Sequence, residues 1–97
     1  MPTYVALCNF TQQGIQNIKQ SPSRYDKFKK AIRASGGKLK SFYLTMGRYD
    51  LVASAEWPDD ESVAKFMLAL ESLGNVRSET FRAFTEAEYR KLIKELP

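Results

Sequence analysis

The hydrophobic positions of this chain follow two rhythms, alternation in some segments and a three-to-four spacing in others, and the segments take turns. Thr3–Phe10 is rich in β-branched and aromatic residues and too short for a lone helix, which predicts a first strand. Its apolar residues occupy both faces, Val5 and Leu7 on one, Tyr4, Ala6, Cys8 and Phe10 on the other. A strand wet on one side alternates more cleanly, so both faces are expected to be covered. Thr11–Gln20 is polar, carries Gly14, and predicts a connection with one helical turn at Ile15–Lys19. Ser21-Pro22 predicts a helix start, with Ser as N-cap and Pro at the first helical position. Gly36-Gly37 ends that helix near Ser35. Tyr25, Phe28 and Ile32 give it one apolar stripe, and Lys27, Lys29, Lys30 and Arg33 form a solvated face.

Lys38–Thr45 predicts a second strand, with Leu39, Ser41, Tyr43 and Thr45 on one face and Phe42 and Leu44 on the other. Leu51–Trp57 predicts a third, apolar on the face of Leu51, Ala53, Ala55 and Trp57, with Val52, Ser54 and Glu56 opposite. Between them Gly47-Arg48-Tyr49-Asp50 suits a hairpin loop in which Gly47 supplies positive φ. Pro58 stops the third strand, and Asp59-Asp60-Glu61 places negative charge at a helix start. Val63, Phe66, Met67, Leu70 and Leu73 form the stripe of that helix, and Gly74 ends it. Val76–Phe84 predicts a fourth strand, and the capping box Thr85-Glu-Ala-Glu88 opens a last helix bearing Tyr89, Leu92, Ile93 and Leu96. The order β-α-β-β-α-β with a further helix predicts an α+β, ferredoxin-like domain over residues 1–97, an antiparallel sheet with two helices on one face.

Two helices cover one side of such a sheet, yet the first two strands carry apolar residues on both. A bare face of several hundred Å² marks an interaction surface. The set on that face is expected to be Val52, Ser54 and Glu56 with Leu39, Ser41, Tyr43 and Thr45. Two copies packed sheet to sheet would bury it and enclose a lumen, so a homodimer or higher homo-oligomer is expected, with two-fold symmetry as the default.

Composition narrows the chemistry. The chain has 97 residues, no histidine and one cysteine. A Ser-His-Asp or Cys-His relay is thereby excluded, no transition-metal site is expected, and no cofactor is called for. Cys8 reads as a buried small hydrophobe. No run approaches the length of a membrane span and the N-terminus lacks a signal pattern, so a cytoplasmic protein is expected. The formal charge of +4 leaves nucleic acid to be considered. A ferredoxin-like RNA reader needs exposed aromatics on its central strands, where this chain offers Val52, Ser54 and Glu56, so nucleic acid is not expected as a partner.

The candidate chemistry gathers on one side. Arg48, Tyr49 and Asp50 would stand at a pocket mouth, where Arg48 can hold a carboxylate or phosphate, although Asp50 can equally cap backbone amides across the turn. Glu56 is a candidate general base or ligand anchor with Tyr43 or Tyr4 beside it; the plainer reading pairs it with a lysine or arginine at the strand end. Tyr4, Tyr43, Ser41 and Ser54 would supply the polar walls of a small-molecule site.

The stretches Thr45-Met-Gly-Arg-Tyr-Asp-Leu-Val, Glu56-Trp-Pro-Asp-Asp, Ser72-Leu-Gly-Asn-Val-Arg-Ser-Glu-Thr and Arg82-Ala-Phe-Thr-Glu, with Gly14 and Ser21-Pro-Ser-Arg24 upstream, closely resemble the GYD-domain family. The resemblance covers nearly the whole chain. It implies a ferredoxin-like fold of the dimeric α/β-barrel type in a small bacterial or archaeal protein, and it implies no particular reaction. The expectation is a homo-oligomeric domain that binds a small molecule or regulates. Its alternatives are a cofactor-independent enzyme using Glu56 or Asp50 with a tyrosine, and a structural assembly protein.

Overall fold

Alternation in four segments becomes one antiparallel sheet. In the computed structural model, which describes residues 1–97, β1 (Thr3–Phe10), β2 (Lys38–Leu44), β3 (Leu51–Glu56) and β4 (Val76–Ala83) lie in the order β2-β3-β1-β4. The first strand is therefore central, flanked by the third and the last. Tyr4 stands opposite Ala55 and Arg82, and Ala6 opposite Ala53 and Thr80. Because side chains alternate across a strand, these residues share one face, while Val5 shares the other with Ser54 and Phe81. This is the ferredoxin-like α+β arrangement that the order of elements predicts.

Four helices accompany the sheet: α1 (Gln12–Gln16), α2 (Ser21–Ala34), α3 (Asp60–Ser72) and α4 (Glu86–Lys94). The helical turn expected at Ile15–Lys19 lies earlier, because the Thr11 side chain accepts from the Gly14 amide and caps α1. A 3₁₀ turn, Ile18–Gln20, then runs straight into α2. Ser21 is consequently already helical (φ −55°, ψ −44°) and cannot be the extended cap residue expected of it; no side chain caps α2. Asp59 does cap α3, accepting from the Ser62 amide at 2.8 Å, and that bond holds its carboxyl below the usual carboxylate range. The Thr85–Glu88 capping box is present in both directions, at 2.8 and 3.2 Å.

The core lies between one sheet face and helices α2 and α3. Tyr4, Ile32, Ala55, Trp57, Val63 and Met67 form it, with Phe28, Leu39 and Phe66 packed alongside. Ile32 and Trp57 are each only 2% exposed, and burying side chains of this size stabilises by about 1.5–3 kcal/mol apiece. Phe66 stacks obliquely on Trp57, ring centroids 4.9 Å apart.

A second link ties the two halves together. The Thr11 amide and hydroxyl donate to the carbonyls of Asn75 and Gly74, at 3.0 and 2.5 Å. Here α1 lies so close to the 74–75 turn that a Cβ at Gly14 would fall on the Asn75 carbonyl oxygen. Only glycine fits.

Three expectations about β2 and its loop are corrected. Leu39 pairs with Ala55 but Ser41 with Ser54, so Lys40 is an extra residue, a β-bulge. The bulge turns Leu39 onto the core face and leaves Ser41 and Tyr43 on the open one. Thr45 falls outside β2, in a six-residue loop, Thr45–Asp50. Within that loop Gly47 does not adopt positive φ, and a Cβ there would meet nothing within 4 Å. The loop has enough residues to turn without a left-handed position.

Candidate functional site

Four candidate regions can be compared, and the structure separates them. At the Gly47–Asp50 corner, the Asp50 carboxylate accepts from the Phe10 amide at 3.0 Å. The Asp50 amide donates to the Cys8 carbonyl at 2.9 Å and to Asn9 Oδ1 at 3.1 Å. Thr45 closes the loop, its amide donating to the Asp50 carbonyl at 2.8 Å and its hydroxyl to the Tyr49 carbonyl. Asp50 thus latches the loop onto the end of β1. Arg48 is exposed, its guanidinium 5.8 Å from the centroid of the Tyr49 ring.

Glu56 ends β3 on the open face. Lys40, the bulge residue, brings its ammonium to 3.8 Å from the Glu56 carboxylate, so the bulge that moved Leu39 also partners Glu56. Tyr43 pairs with Val52, four residues from Glu56 along the strand, or about 13 Å at ~3.3 Å per residue. The carboxylate and the tyrosine of the enzyme reading are therefore not adjacent within one chain. Ser54 shares a 2.6 Å hydroxyl hydrogen bond with Ser41.

Tyr4 lies on the other side of the sheet from Tyr43, Ser54 and Glu56. It is 5% exposed in the core, and its hydroxyl donates to the Asp60 carboxylate. That bond, aided by burial, raises the phenol above its ordinary pKa. Alternation grouped Tyr4 with Ala6 and Cys8 correctly; its use as a wall of a lumen on the opposite face does not fit this placement. The core also holds Cys8, whose thiol is pushed up to about 11 by burial and, secondarily, by the charge of Glu71.

What remains is a surface. On the open face Val5, Leu7, Val52 and Phe81 form an apolar centre, with Tyr43 beside Val52 and the Lys40–Glu56 pair at one margin. No helix covers it. Phe81 is 48% exposed. Beyond β4, α4 carries Tyr89, Leu92, Ile93 and Leu96, all exposed. The molecule is accordingly long and thin, 52 × 30 × 17 Å, one sheet and one layer of helices thick. The stripe of α4 and the residues of β3 are legible in the sequence; Phe81 is an unexpected member of the face, although the alternation of β4 carries that signal. No helix is long and apolar enough to cross a membrane.

Comparison with known proteins bears on the family of the chain. The chain is 32% identical over 89 residues to a protein of Thermus thermophilus named glutamine synthetase and cystathionine beta-lyase binding protein, an alignment spanning 91% of this chain and 94% of that one. No solved structure matches. The family model described as the GYD domain matches residues 4–93, and the chain belongs to that family.

Proposed function

We propose that this protein is a regulatory binding module that works by protein contact, self-associating through its open sheet face and offering α4 and the rim of that face to a protein partner. The observation that carries this reading is an apolar sheet face with Phe81 exposed on it, beside an amphipathic helix whose own apolar stripe is exposed. A sheet of four strands spaced ~4.8 Å apart and about 20 Å long presents roughly 400 Å² in projection. A stable interface takes about 800 Å² per partner, so the face alone falls short. Side chains standing out of that plane, Phe81 and Tyr43 among them, raise the accessible area above the flat projection and narrow the gap, while α4 is left to the other partner. In such a dimer Tyr43, Ser54 and Glu56 would line the space between the sheets, with Arg48 and Tyr49 at its mouth, the place for a small ligand. Binding stands ahead of catalysis because the Asp50 carboxylate is engaged by the Phe10 amide and Glu56 by Lys40. The name of the Thermus relative supports protein partners and makes glutamine synthetase and cystathionine beta-lyase the first to test.

Sedimentation velocity tests both parts. The wild-type protein is expected to sediment as a dimer or larger at micromolar concentration, and Phe81→Asp as a folded monomer. Mixed with purified glutamine synthetase or cystathionine beta-lyase from the same host, the wild type is expected to co-sediment with at least one, and Leu92→Asp to lose that association. A wild-type monomer that joins neither enzyme would overturn the reading.

A further inference from the structure

The helix side of the sheet is not filled evenly. Where β4 faces α3 it places Ser78, Thr80 and Arg82, opposite Cys8, Ala6 and Tyr4. A strand completing a core would carry apolar residues there. These short or charged side chains leave a groove of about 300 Å³ between α3 and β4. Its floor holds Tyr4, whose ring is buried and whose hydroxyl is bound to Asp60. Val63 and Met67 form an apolar strip along it.

The charges across the groove are opposite. Asp60 stands in the first turn of α3 and Arg82 near the end of β4, both exposed, and they form no ion pair with each other. Arg82 is held in place: its guanidinium lies 4.5 Å from the centroid of the Phe84 ring and donates to the Thr3 and Ala83 carbonyls. Asp60 is held by the Tyr4 hydroxyl. A simple anion would be drawn to one bank and repelled by the other, and a simple cation likewise. A zwitterion satisfies both.

We propose that this groove binds a free α-amino acid, its ammonium on Asp60, its carboxylate on Arg82 and its side chain along Val63 and Met67. The volume lies at the small end of the range for small-molecule sites, which suits a ligand of this size. Guanidinium and carboxylate form charge-assisted hydrogen bonds, the stronger kind, which favours a ligand that uses both. The site lies on the opposite side of the sheet from the face assigned to protein contact, so either reading can fail without the other.

Amide NMR titration of the full chain with L-methionine tests it. Saturable shifts are expected at Asp60, Ala64, Thr80 and Arg82. N-acetyl-L-methionine, which lacks the ammonium, and L-methioninamide, which lacks the carboxylate, are each expected to bind about ten- to a hundredfold more weakly. The variants then divide the two contacts. In Asp60→Asn the advantage of L-methionine over the N-acetyl form should vanish, and in Arg82→Gln its advantage over the amide should vanish. Both substitutions are at exposed positions, and an otherwise unchanged spectrum verifies folding. The proposal is overturned if the capped analogues bind as well as the free amino acid. It is equally overturned if none of the twenty coded L-amino acids gives saturable shifts in the groove at millimolar concentration.

Discussion

The two faces of the sheet are made from the same four strands and have opposite fates. On the covered face, small residues on the strands (Ala6, Ala53, Ala55) leave room for Trp57, Phe66 and Ile32 to pack in from loops and helices. On the open face, Val5, Leu7, Val52 and Phe81 meet no second layer. Hydrophobicity alone does not separate them. What separates them is whether the chain returns to cover the residues, which depends on where the loops and helices go. A face is a core only when something lands on it.

That contrast is breakable. The largest effect on folding belongs to the covered face: Trp57→Ala removes a 2%-exposed indole and is expected to cost about 3–5 kcal/mol in urea denaturation. A domain of this size has about 5–15 kcal/mol in total. Phe81→Asp, the substitution expected to dissolve self-association, should cost the monomer less than about 1 kcal/mol. If the two variants were equally destabilised, the open face would be part of the folded core after all.

The next effect tests burial on the covered face through Cys8. Its thiol titrates near 11 when folded, against 9.0 for an unperturbed thiol. The folded state therefore holds its proton longer, and the unfolded state loses it first. Stability unaffected by this group below pH 9 should fall between pH 9 and 11, by about 2–3 kcal/mol at ~1.4 kcal/mol per unit. Urea midpoints of wild type and Cys8→Ala across that range measure the difference; parallel slopes would contradict burial of the thiol. The smallest effect belongs to the open face. Glu56→Gln breaks a half-exposed pair with Lys40 and should change folding stability by no more than about 1 kcal/mol, while any ligand held between two sheets would lose a contact.

Local patterns were legible in the sequence wherever the deciding contacts are local. Alternation sorted Tyr4, Ala6 and Cys8 from Val5 and Leu7, the stripe of α3 emerged from spacing as far as Leu70 while Leu73 lies past the helix and is exposed, and Thr85–Glu88 caps α4 as its letters announce. A single extra residue, Lys40, was enough to reverse the face of Leu39, because period-two reasoning has no memory of an insertion. Ser21 carried the letters of a cap but is preceded by a turn that had already made it helical. The candidate site was less legible still. Tyr4 and Asp60 meet across 56 positions, and Arg82 reaches their neighbourhood only through the β1–β4 register, so no spacing rule could bring the three together.

The central place of β1 has a consequence for how the protein is made. β1 leaves the ribosome before the other three strands of its sheet and pairs with the third and the fourth, its Thr3 lying opposite Ala83. At ~5–20 residues per second, β1 waits about 4–15 s for the end of β4 to be synthesised. During that interval both of its apolar faces lack their final neighbours, and contacts so distant along the chain form slowly. A nascent chain stalled before Ala83 should accordingly remain sensitive to protease, and the protein should become resistant only when its last strand is free to close beside its first.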